Sequence, residues 1–279
     1  MKTFRLLDPA RPMWIPRGPC ALAVMTKAPR AGQVKTRLIP PLTPNEAAEL
    51  NKCFLRDTAF AISAACRRYP VGDAAPTLSR AHRRASRNEA VTANAMAIAV
   101  YTPAGTERAF DDILPSSFSL LPQRGDKFGE RLYFAAQDLF KCGFESACLI
   151  DSDSPTVPAE NFATAVELLN TSDDRVVLGP SDDGGYYLLG LKRPHRQLFE
   201  EIEWSTERVL EQTIKRAAEL ELEVKLLPPG YDVDDAASLR RLSDELLAET
   251  ASTNTAPHTR KFLAKIVARK KWQGQRSAF

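Results

Sequence analysis

Apolar and polar positions divide the chain into two kinds of segment. Short apolar runs such as Cys20–Met25 and Ala147–Ile150 have the length of buried strands. Longer segments of mixed polarity separate them, and the first begins with Thr43-Pro44-Asn45-Glu46, the pattern of a helix N-terminus. Strands that alternate with helices predict an α/β protein with one mostly parallel, Rossmann-like sheet and helices on both faces. The predicted strands are 20–25, 97–101, 118–121, 147–150, 175–180, 186–191 and 223–227, and the predicted helices are 44–66, 106–112, one that opens within 123–131 and ends near 142, 159–170, 206–219 and 236–247.

Composition divides the chain into a single domain with additions. Residues 1–19 are rich in Arg and Pro and form an N-terminal extension, and 20–249 contain all of the predicted strands and helices. Within that domain, residues 70–95 are Arg-rich and lack periodicity, so we predict an insertion loop there. Residues 250–279 are predicted to be a basic C-terminal tail.

Two pairs of aspartates follow predicted strands. Asp151 and Asp153 come directly after an apolar run, and Asp232 and Asp234 repeat the arrangement near the last strand. Residues two apart on a strand point the same way, so each pair would present two carboxylates together. Oxygen ligands suit Mg²⁺ or Mn²⁺ better than zinc. A single such triplet is more often a helix N-cap and a solvated turn, but two of them favour a metal site.

A basic loop follows the first strand. It contains Gly32, Lys35 and Arg37, a combination that could neutralise a polyphosphate while the glycine lets the backbone approach. It is neither a Walker A loop nor a dinucleotide fingerprint. The alternative is a solvated basic loop.

A turn rich in acids and glycines joins the strands 175–180 and 186–191. A tight hairpin needs Gly184 and Gly185 but not both Asp182 and Asp183. The functional interpretation is that the glycines let the backbone approach a sugar or acceptor, which an aspartate then binds.

Composition excludes several other classes of protein. The 279 residues have a net charge of only +3, and the three histidines are too scattered for a His-rich zinc site or a His-based triad. No apolar run reaches the roughly 18 residues of a membrane span, and no signal-peptide pattern begins the chain, so we expect a cytoplasmic protein. Basic residues crowd 67–87 and 260–276, but neither segment carries a recognition motif with interleaved aromatics, which disfavours nucleic-acid binding.

Six motifs in order resemble the DUF2064 family over about residues 20–245. Lys27–Leu38 is similar to its K-x-P-x-x-G-x-V-K-T-R-L opening and Gly125–Arg131 to its G-D-L-G-E-R segment, from which Lys127 and Phe128 depart. The other matches are Asp151–Pro155 to G-S-D-C-P, Gly179–Tyr187 to G-P-x-x-D-G-G-Y-Y, Trp204–Thr206 to W-S/G-T, and Asp232–Asp234 to D-V-D. Asp151 stands where the family usually has Gly, and Ser154 replaces its Cys.

The resemblance implies the GT-A fold of nucleotide-diphospho-sugar transferases and a role for each matched residue. Asp153, with Asp234 or Asp232, would hold Mg²⁺ or Mn²⁺, with Asp151 as an additional candidate. Asp183 and Asp182 are the catalytic candidates. The candidates for nucleotide and phosphate binding are Lys27, Gly32, Lys35, Thr36, Arg37, Asp126 and Arg131, and those for sugar or acceptor binding are Gly184, Gly185, Tyr186, Trp204, Ser205 and Thr206.

Three functions follow as hypotheses. The first is metal-dependent transfer of a sugar from a nucleotide-diphospho-sugar to a small-molecule acceptor. The second is nucleotidyl transfer from an NTP to a phosphorylated small molecule, with release of pyrophosphate. The third is a non-enzymatic module that binds nucleic acid through the basic segments, which the acids at the expected ligand edge disfavour. The sequence predicts no oligomeric state.

Overall fold

The computed structural model describes residues 2–11, 19–68 and 95–276. The predicted Arg-rich insertion lies outside these residues, apart from Ala95, which begins a strand. The described residues form eight strands and six α-helices. In chain order these are β1 (Arg5–Leu6), β2 (Cys20–Lys27), α1 (Pro44–Arg68), β3 (Ala95–Thr102), β4 (Ser119–Pro122), α2 (Phe128–Lys141), β5 (Ser146–Ile150), α3 (Ala159–Leu169), β6 (Arg175–Pro180), β7 (Tyr186–Leu191), α4 (Val209–Glu219), β8 (Glu223–Leu226), α5 (Ala236–Leu247) and α6 (Pro257–Arg276).

All eight strands belong to one sheet, in the order β1-β4-β3-β2-β5-β7-β6-β8. β7 is antiparallel to its neighbours β5 and β6, and the other pairs are parallel. The predicted mostly parallel α/β sheet is therefore confirmed. Because β7 runs backwards, the turn between β6 and β7 lies at the same edge as the carboxyl end of β5, where parallel strands place ligand sites.

Apolar side chains cover both faces of the sheet. Ile62 of α1 and Phe162 of α3 belong to the core on one face. Leu132 of α2 and Ala217 of α4 belong to the core on the other. Along β2 and β3, successive residues belong alternately to the two cores, as the side-chain alternation of a strand requires. A third, smaller core joins α1, α5 and α6.

The segment expected as a basic tail contains a packed helix. Leu263 and Ile266 of α6 are buried in the third core. Asp57 of α1, itself buried, accepts hydrogen bonds from the backbone N–H of His258 (3.1 Å) and Thr259 (2.8 Å), so it caps the start of α6. The charge of this segment masked a helical spacing of apolar residues that is enough to bury one side of the helix.

The first long helix begins as its sequence predicts. The Thr43 hydroxyl accepts from the N–H of Glu46 (3.3 Å), and the Glu46 carboxylate accepts from the N–H of Thr43 (2.8 Å), which forms a capping box. The helix predicted to open within 123–131 is α2, which begins at Phe128 directly after the extended backbone of Lys127. One other predicted helix differs, because residues 106–112 hold only a 3₁₀ turn, Glu107–Phe110. Among the described residues, no helix combines the length and apolar character needed to cross a bilayer.

Candidate active-site cleft

Two adjoining cavities open at the carboxyl edge of the sheet. The smaller, of about 390 Å³, is lined by the end of β2, the loop after it and the start of α2, and we call it the basic cavity. The larger, of about 970 Å³, is lined by the β6–β7 turn, the segment before α4 and the residues after β5 and β8, and we call it the acidic cavity. Seven residues line both cavities, which makes them two lobes of one cleft: Met25, Arg37, Phe128, Leu132, Ser152, Asp153 and Asp234.

A lysine joins the two aspartate segments at the boundary between the cavities. The Nζ atom of Lys35 lies 2.9 Å from Oδ2 of Asp153 and 2.8 Å from Oδ1 of Asp234. It also donates to the carbonyl of Val233 at 2.8 Å, so all three of its protons have acceptors. We call Lys35, Asp153 and Asp234 the lysine clamp. The cation that two facing carboxylates require is here an ammonium group.

Backbone geometry delivers the parts of the lysine clamp to one place. The N–H of Val233 donates to the carbonyl of Asp153 at 3.0 Å, which holds the two aspartate segments side by side. Lys35 has a φ of +49°, in the left-handed region that a residue other than glycine rarely adopts. Such conformations persist where the surroundings fix them, and they cluster at functional sites.

The electrostatics of the lysine clamp are self-consistent. Burial disfavours the ammonium of Lys35, but Asp153 and Asp234 outweigh it and raise the pKa of Lys35 above its ordinary value. Burial also opposes ionisation of Asp234, but Lys35 and Arg37 together hold its pKa below the ordinary value. Arg37 adds its own ion pair to Asp234. The ammonium of Lys35 is therefore the shared cation of two facing carboxyl groups.

Two further aspartates face the acidic cavity without an ion-pair partner among the described residues. Burial, and then the charge of Asp153, raise the pKa of Asp151 well above its ordinary value, although the Ser154 hydroxyl donates to it at 2.7 Å. Burial, and then the charges of Asp183 and Asp234, raise the pKa of Asp232 to about 6. These carboxylates are under-compensated, and a bound cation would lower both pKa values.

The chemistry of this donor set fits Mg²⁺ or Mn²⁺, since every donor is a carboxylate oxygen. Among the described residues, however, no three His, Cys, Asp or Glu side chains converge to hold a metal ion. Mg²⁺ is often held by one or two carboxylates together with substrate phosphates, and an arrangement of that kind would fit here. Asp151 and Asp232 are the carboxylates that Lys35 leaves free for it.

The β6–β7 turn forms a wall of the acidic cavity. Gly184 has a φ of +85°, and a Cβ atom there would lie 2.1 Å from the carbonyl oxygen of Glu207. Its own carbonyl accepts from the N–H of Leu210 at 2.8 Å, which ties the turn to the start of α4. Asp183 accepts from the N–H of Gly185 at 2.9 Å, so its carboxylate also shapes the turn. Gly184 thus acts through backbone packing, and it does not line either cavity.

An arginine that the sequence did not single out lies against the same wall. Arg241 of α5 pairs with Asp182 at 2.7 Å, and its guanidinium lies 3.9 Å from the centre of the Tyr231 ring. The acidic cavity is lined by both Arg241 and Tyr231. Asp182 therefore has a structural partner, whereas no described cation pairs with Asp183.

Tyr187 positions the chain that leads to Asp232. Its ring lies over Gly179, where a Cβ atom would be 2.3 Å from the ring. Its hydroxyl donates to the carbonyl of Pro228 at 2.9 Å and accepts from Asn161 at 2.8 Å. Gly179 thus leaves space for the Tyr187 ring, and the hydroxyl of Tyr187 orients the chain that leads to Asp232.

Most of the site residues predicted from the sequence line one or both of the two cavities. The two predicted phosphate-binding residues that line neither cavity are Gly32 and Asp126; the backbone N–H of Asp126 donates to Glu130 at 3.1 Å. The predicted phosphate-binding residues that line the basic cavity are Lys27, Lys35, Thr36, Arg37 and Arg131. The predicted residues that line the acidic cavity are Asp151, Asp153, Asp182, Asp183, Asp232, Asp234, Gly185, Tyr186, Trp204, Ser205 and Thr206.

Several lining residues were missed at the level of sequence. Thr26 is the second-to-last residue of β2, Thr102 is the last residue of β3, and Gln123 follows β4 directly. Their places at strand ends on the ligand edge are the signal that could have identified them. Asn51 of α1 and Arg241 of α5 offered no such signal, because each is one polar position of an amphipathic helix.

Comparison with known proteins supports the resemblance seen in the motifs. Residues 87–206 match a family model described as "Uncharacterized protein conserved in bacteria (DUF2064)". The chain carries a DUF2064 region. This region includes Gly125–Arg131, Asp151–Pro155, Gly179–Tyr187 and Trp204–Thr206, while the basic loop and Asp232–Asp234 lie outside it. A comparison with curated proteins found no match.

A solved structure shares the fold of this chain. A protein from Desulfovibrio desulfuricans G20, described as a "putative nucleotide-diphospho-sugar transferase", is 25% identical with a TM-score of 0.66, over 88% of this chain and 96% of that one. A 4-diphosphocytidyl-2C-methyl-D-erythritol synthase from Anaerococcus prevotii has 10% identity and a TM-score of 0.47, over 81% and 96% of the two chains. Rv0371c of Mycobacterium tuberculosis, in complex with manganese, has 11% identity and a TM-score of 0.42, over 81% and 97%. The last two likenesses are too distant to assign a substrate or a metal to this chain. This chain shares the fold of the Desulfovibrio protein.

Proposed function

We propose that the chain transfers a sugar from a nucleotide-diphospho-sugar to a small-molecule acceptor with the help of Mg²⁺ or Mn²⁺. The observation that carries the proposal is the pairing of a basic and an acidic cavity across the lysine clamp. A nucleotide-diphospho-sugar has an anionic centre with a nucleoside on one side and a neutral sugar on the other. The similarity in fold to the Desulfovibrio protein supports the same class of donor.

The basic cavity would hold the nucleoside diphosphate. Lys27, Arg37 and Arg131 line it. Arginines suit phosphate because the guanidinium can donate two parallel hydrogen bonds to its oxygens. Lys35 would contribute charge from the boundary, within reach of a phosphate that lies against the clamp.

The acidic cavity would hold the sugar and the acceptor. Asp183 has no cationic partner among the described residues, so its carboxylate is available to orient an acceptor hydroxyl and accept its proton. Trp204, Ser205 and Thr206 line the same cavity and would bound the sugar. Ser205 has a φ of +66°, a further strained position at this site.

A bound Mg²⁺ or Mn²⁺ would stabilise the negative charge that develops on the leaving diphosphate. Asp151 and Asp232 are the residues proposed to hold it, with Asp153 next to them. The protein's own contribution is to keep these carboxylates together and close to the basic cavity.

A second candidate is nucleotidyl transfer, in which an NTP reacts with a phosphorylated small molecule and pyrophosphate leaves. It is favoured by the number of cations around the basic cavity, which would suffice for three phosphates. The same cleft would serve it, with the phosphorylated acceptor in the acidic cavity beside Arg241.

Product analysis separates the two candidates. The purified protein is incubated with a panel of nucleotide sugars or NTPs, with Mg²⁺ or Mn²⁺ and a pool of small-molecule acceptors, and nucleoside diphosphate and pyrophosphate are quantified. We expect release of nucleoside diphosphate from one nucleotide sugar, reduced about 10²- to 10⁴-fold by Asp183→Asn. Asp126→Asn is the matched control, because Asp126 lines neither cavity. Pyrophosphate release from an NTP would instead select the second candidate, and full activity of Asp183→Asn would refute the role of that residue.

A further inference from the structure

An exposed aromatic ring lies at the boundary between the two cavities. Phe128 is the first residue of α2, and 49% of its surface is accessible. Both cavities are lined by it. Met25 and Leu132 line both cavities as well, so the cleft has an apolar shelf between charged walls.

The ring of Phe128 is held in place from behind. It makes an edge-to-face contact with Trp204, with the ring centres 5.2 Å apart and the planes at 67°. The indole of Trp204 is fixed in turn against Gly129, where a Cβ atom would lie 2.4 Å from Nε1. The guanidinium of Arg131, which lines the basic cavity, lies over the Phe128 ring, 5.8 Å from its centre. These contacts orient the ring and still leave 49% of the residue accessible.

Two polar residues with unused hydrogen-bonding capacity line the basic cavity. Thr26 is only 4% accessible, and its hydroxyl has no hydrogen-bond partner among the described residues. A buried polar group of this kind costs free energy unless a ligand or water satisfies it. The side-chain amide of Gln123 donates to the carbonyls of Thr26 (3.3 Å) and Val100 (2.8 Å). This leaves the Oε1 atom of Gln123 as an acceptor.

We propose that Phe128 is a specificity-determining residue, on which the nucleobase of the donor stacks with its polar edge toward Thr26 and Gln123. The inference rests on the proposed function, because it assumes a nucleotide in the basic cavity. A nucleobase has flat apolar faces and a hydrogen-bonding edge, and this matches an exposed aromatic ring beside unpartnered polar groups. A sugar carries hydroxyls around its whole rim, so the acidic cavity is the better place for it.

Binding measurements with and without a base test the proposal. Calorimetric titrations use ADP, GDP, CDP and UDP in turn, and inorganic pyrophosphate as the ligand that lacks a base. Phe128→Ala removes the stacking of one base. It should weaken the affinity for the best-bound nucleoside diphosphate about 5- to 150-fold and leave the affinity for pyrophosphate unchanged. Phe128→Trp, which keeps an aromatic face, should retain affinity. Thr26→Val should weaken the affinity for the preferred nucleoside diphosphate more than the affinity for the other three.

Phe60→Ala is the matched control. Phe60 is also an exposed phenylalanine, 55% accessible, but it lies on α1 and lines neither cavity. Its replacement should leave both affinities unchanged.

Three other outcomes would contradict either the stacking proposal or the proposed function. An equal loss of nucleoside diphosphate and pyrophosphate in Phe128→Ala means that Phe128 only supports the cavity, and it overturns the stacking proposal while the proposed function stands. If Phe128→Ala loses affinity for a nucleotide sugar titrated in parallel but not for its nucleoside diphosphate, the sugar stacks on the ring instead, and the proposal that the base does so is wrong. Failure of the wild-type protein to bind any of these ligands refutes the proposed function, and the stacking proposal with it.

Discussion

Replacing Lys35 with methionine should destabilise the protein and expose a latent site for a divalent cation. The side chain of Lys35 is 5% accessible, and its ammonium is the link between Asp153 and Asp234. Lys35→Met keeps the length of the side chain but leaves two facing carboxylates without their shared cation.

The expected magnitude follows from burial. Removing one partner of a fully buried ion pair typically costs about 3–5 kcal/mol. The carboxylates of Asp153 and Asp234 are about one-third accessible, and Arg37 still pairs with Asp234, so solvent and Arg37 reduce the cost. We expect a loss of about 2–3 kcal/mol in the free energy of unfolding, which corresponds to roughly 4–12 °C in the melting temperature.

Chemical denaturation and thermal melting measure this loss, and Lys27→Met is the control. Lys27 is the last residue of β2, directly before the loop that contains Lys35. Its Nζ atom is exposed and donates only to the carbonyl of Gln33, at 3.1 Å, so its replacement should change stability by less than about 0.5 kcal/mol. Adding Asp234→Asn to Lys35→Met should recover part of the loss, because one of the two facing charges is removed. Since the pKa of Lys35 is raised above its ordinary value of 10.5, the difference from wild type should stay constant between about pH 6 and pH 9.

Manganese provides the second measurement. In Lys35→Met the two carboxylates no longer have the ammonium, so Mn²⁺ without nucleotide should raise the melting temperature of the variant more than that of the wild type. If Lys35→Met is no less stable than Lys27→Met, the lysine does not compensate the aspartates and the electrostatic reasoning fails. A Mn²⁺ response equal to that of wild type would refute the competition between the ammonium and the metal.

Three further predictions concern other parts of the structure. Asp232→Asn should stabilise the protein at neutral pH: the folded-state pKa of about 6 lies above the ordinary 3.8, so ionisation destabilises the wild type as pH rises through this range, and urea denaturation at about pH 4.5 and 7.5 should show the advantage of the variant grow by about 1–2 kcal/mol. Gly184→Ala should cost about 2–4 kcal/mol by thermal denaturation, because its Cβ would collide with the backbone of Glu207, whereas Gly32→Ala, also at positive φ but with nothing within 4 Å, should cost only about 1 kcal/mol; equal losses would contradict the collision. Asp57→Ala removes the cap of α6 and should cost about 1–2 kcal/mol, with faster hydrogen exchange in α6 than in the sheet; uniform acceleration would argue against a local role.

Local sequence signals predicted the central elements well. The bounds of β6, β7 and α5 agree with those expected, because each begins and ends at a strong signal such as Gly184–Gly185 or Asp235. Elements that depend on tertiary contacts were missed. β1 is only two residues long and exists because β4 offers it an edge to pair with.

The candidate site was predicted in its residues but not in its connections. Strand ends and the spacing of Asp151–Asp153 and Asp232–Asp234 predicted that carboxylates would meet, and the structure brings these segments into contact. The sequence could not reveal that Lys35 would lie between them, since its conformation is left-handed and its acceptors are far along the chain. The role of Arg241 depends on the packing of α5 and was equally hidden.

The distance between the parts of the lysine clamp along the chain has a consequence for refolding. Lys35 and its acceptor at Val233 are 198 positions apart in sequence, and Asp153 comes from a third region. No fragment or partly folded intermediate that lacks one of these regions can assemble the boundary between the two cavities. Recovery of ligand affinity after dilution from denaturant should therefore follow the last step of folding, and the ligand can serve as a probe that counts only native molecules.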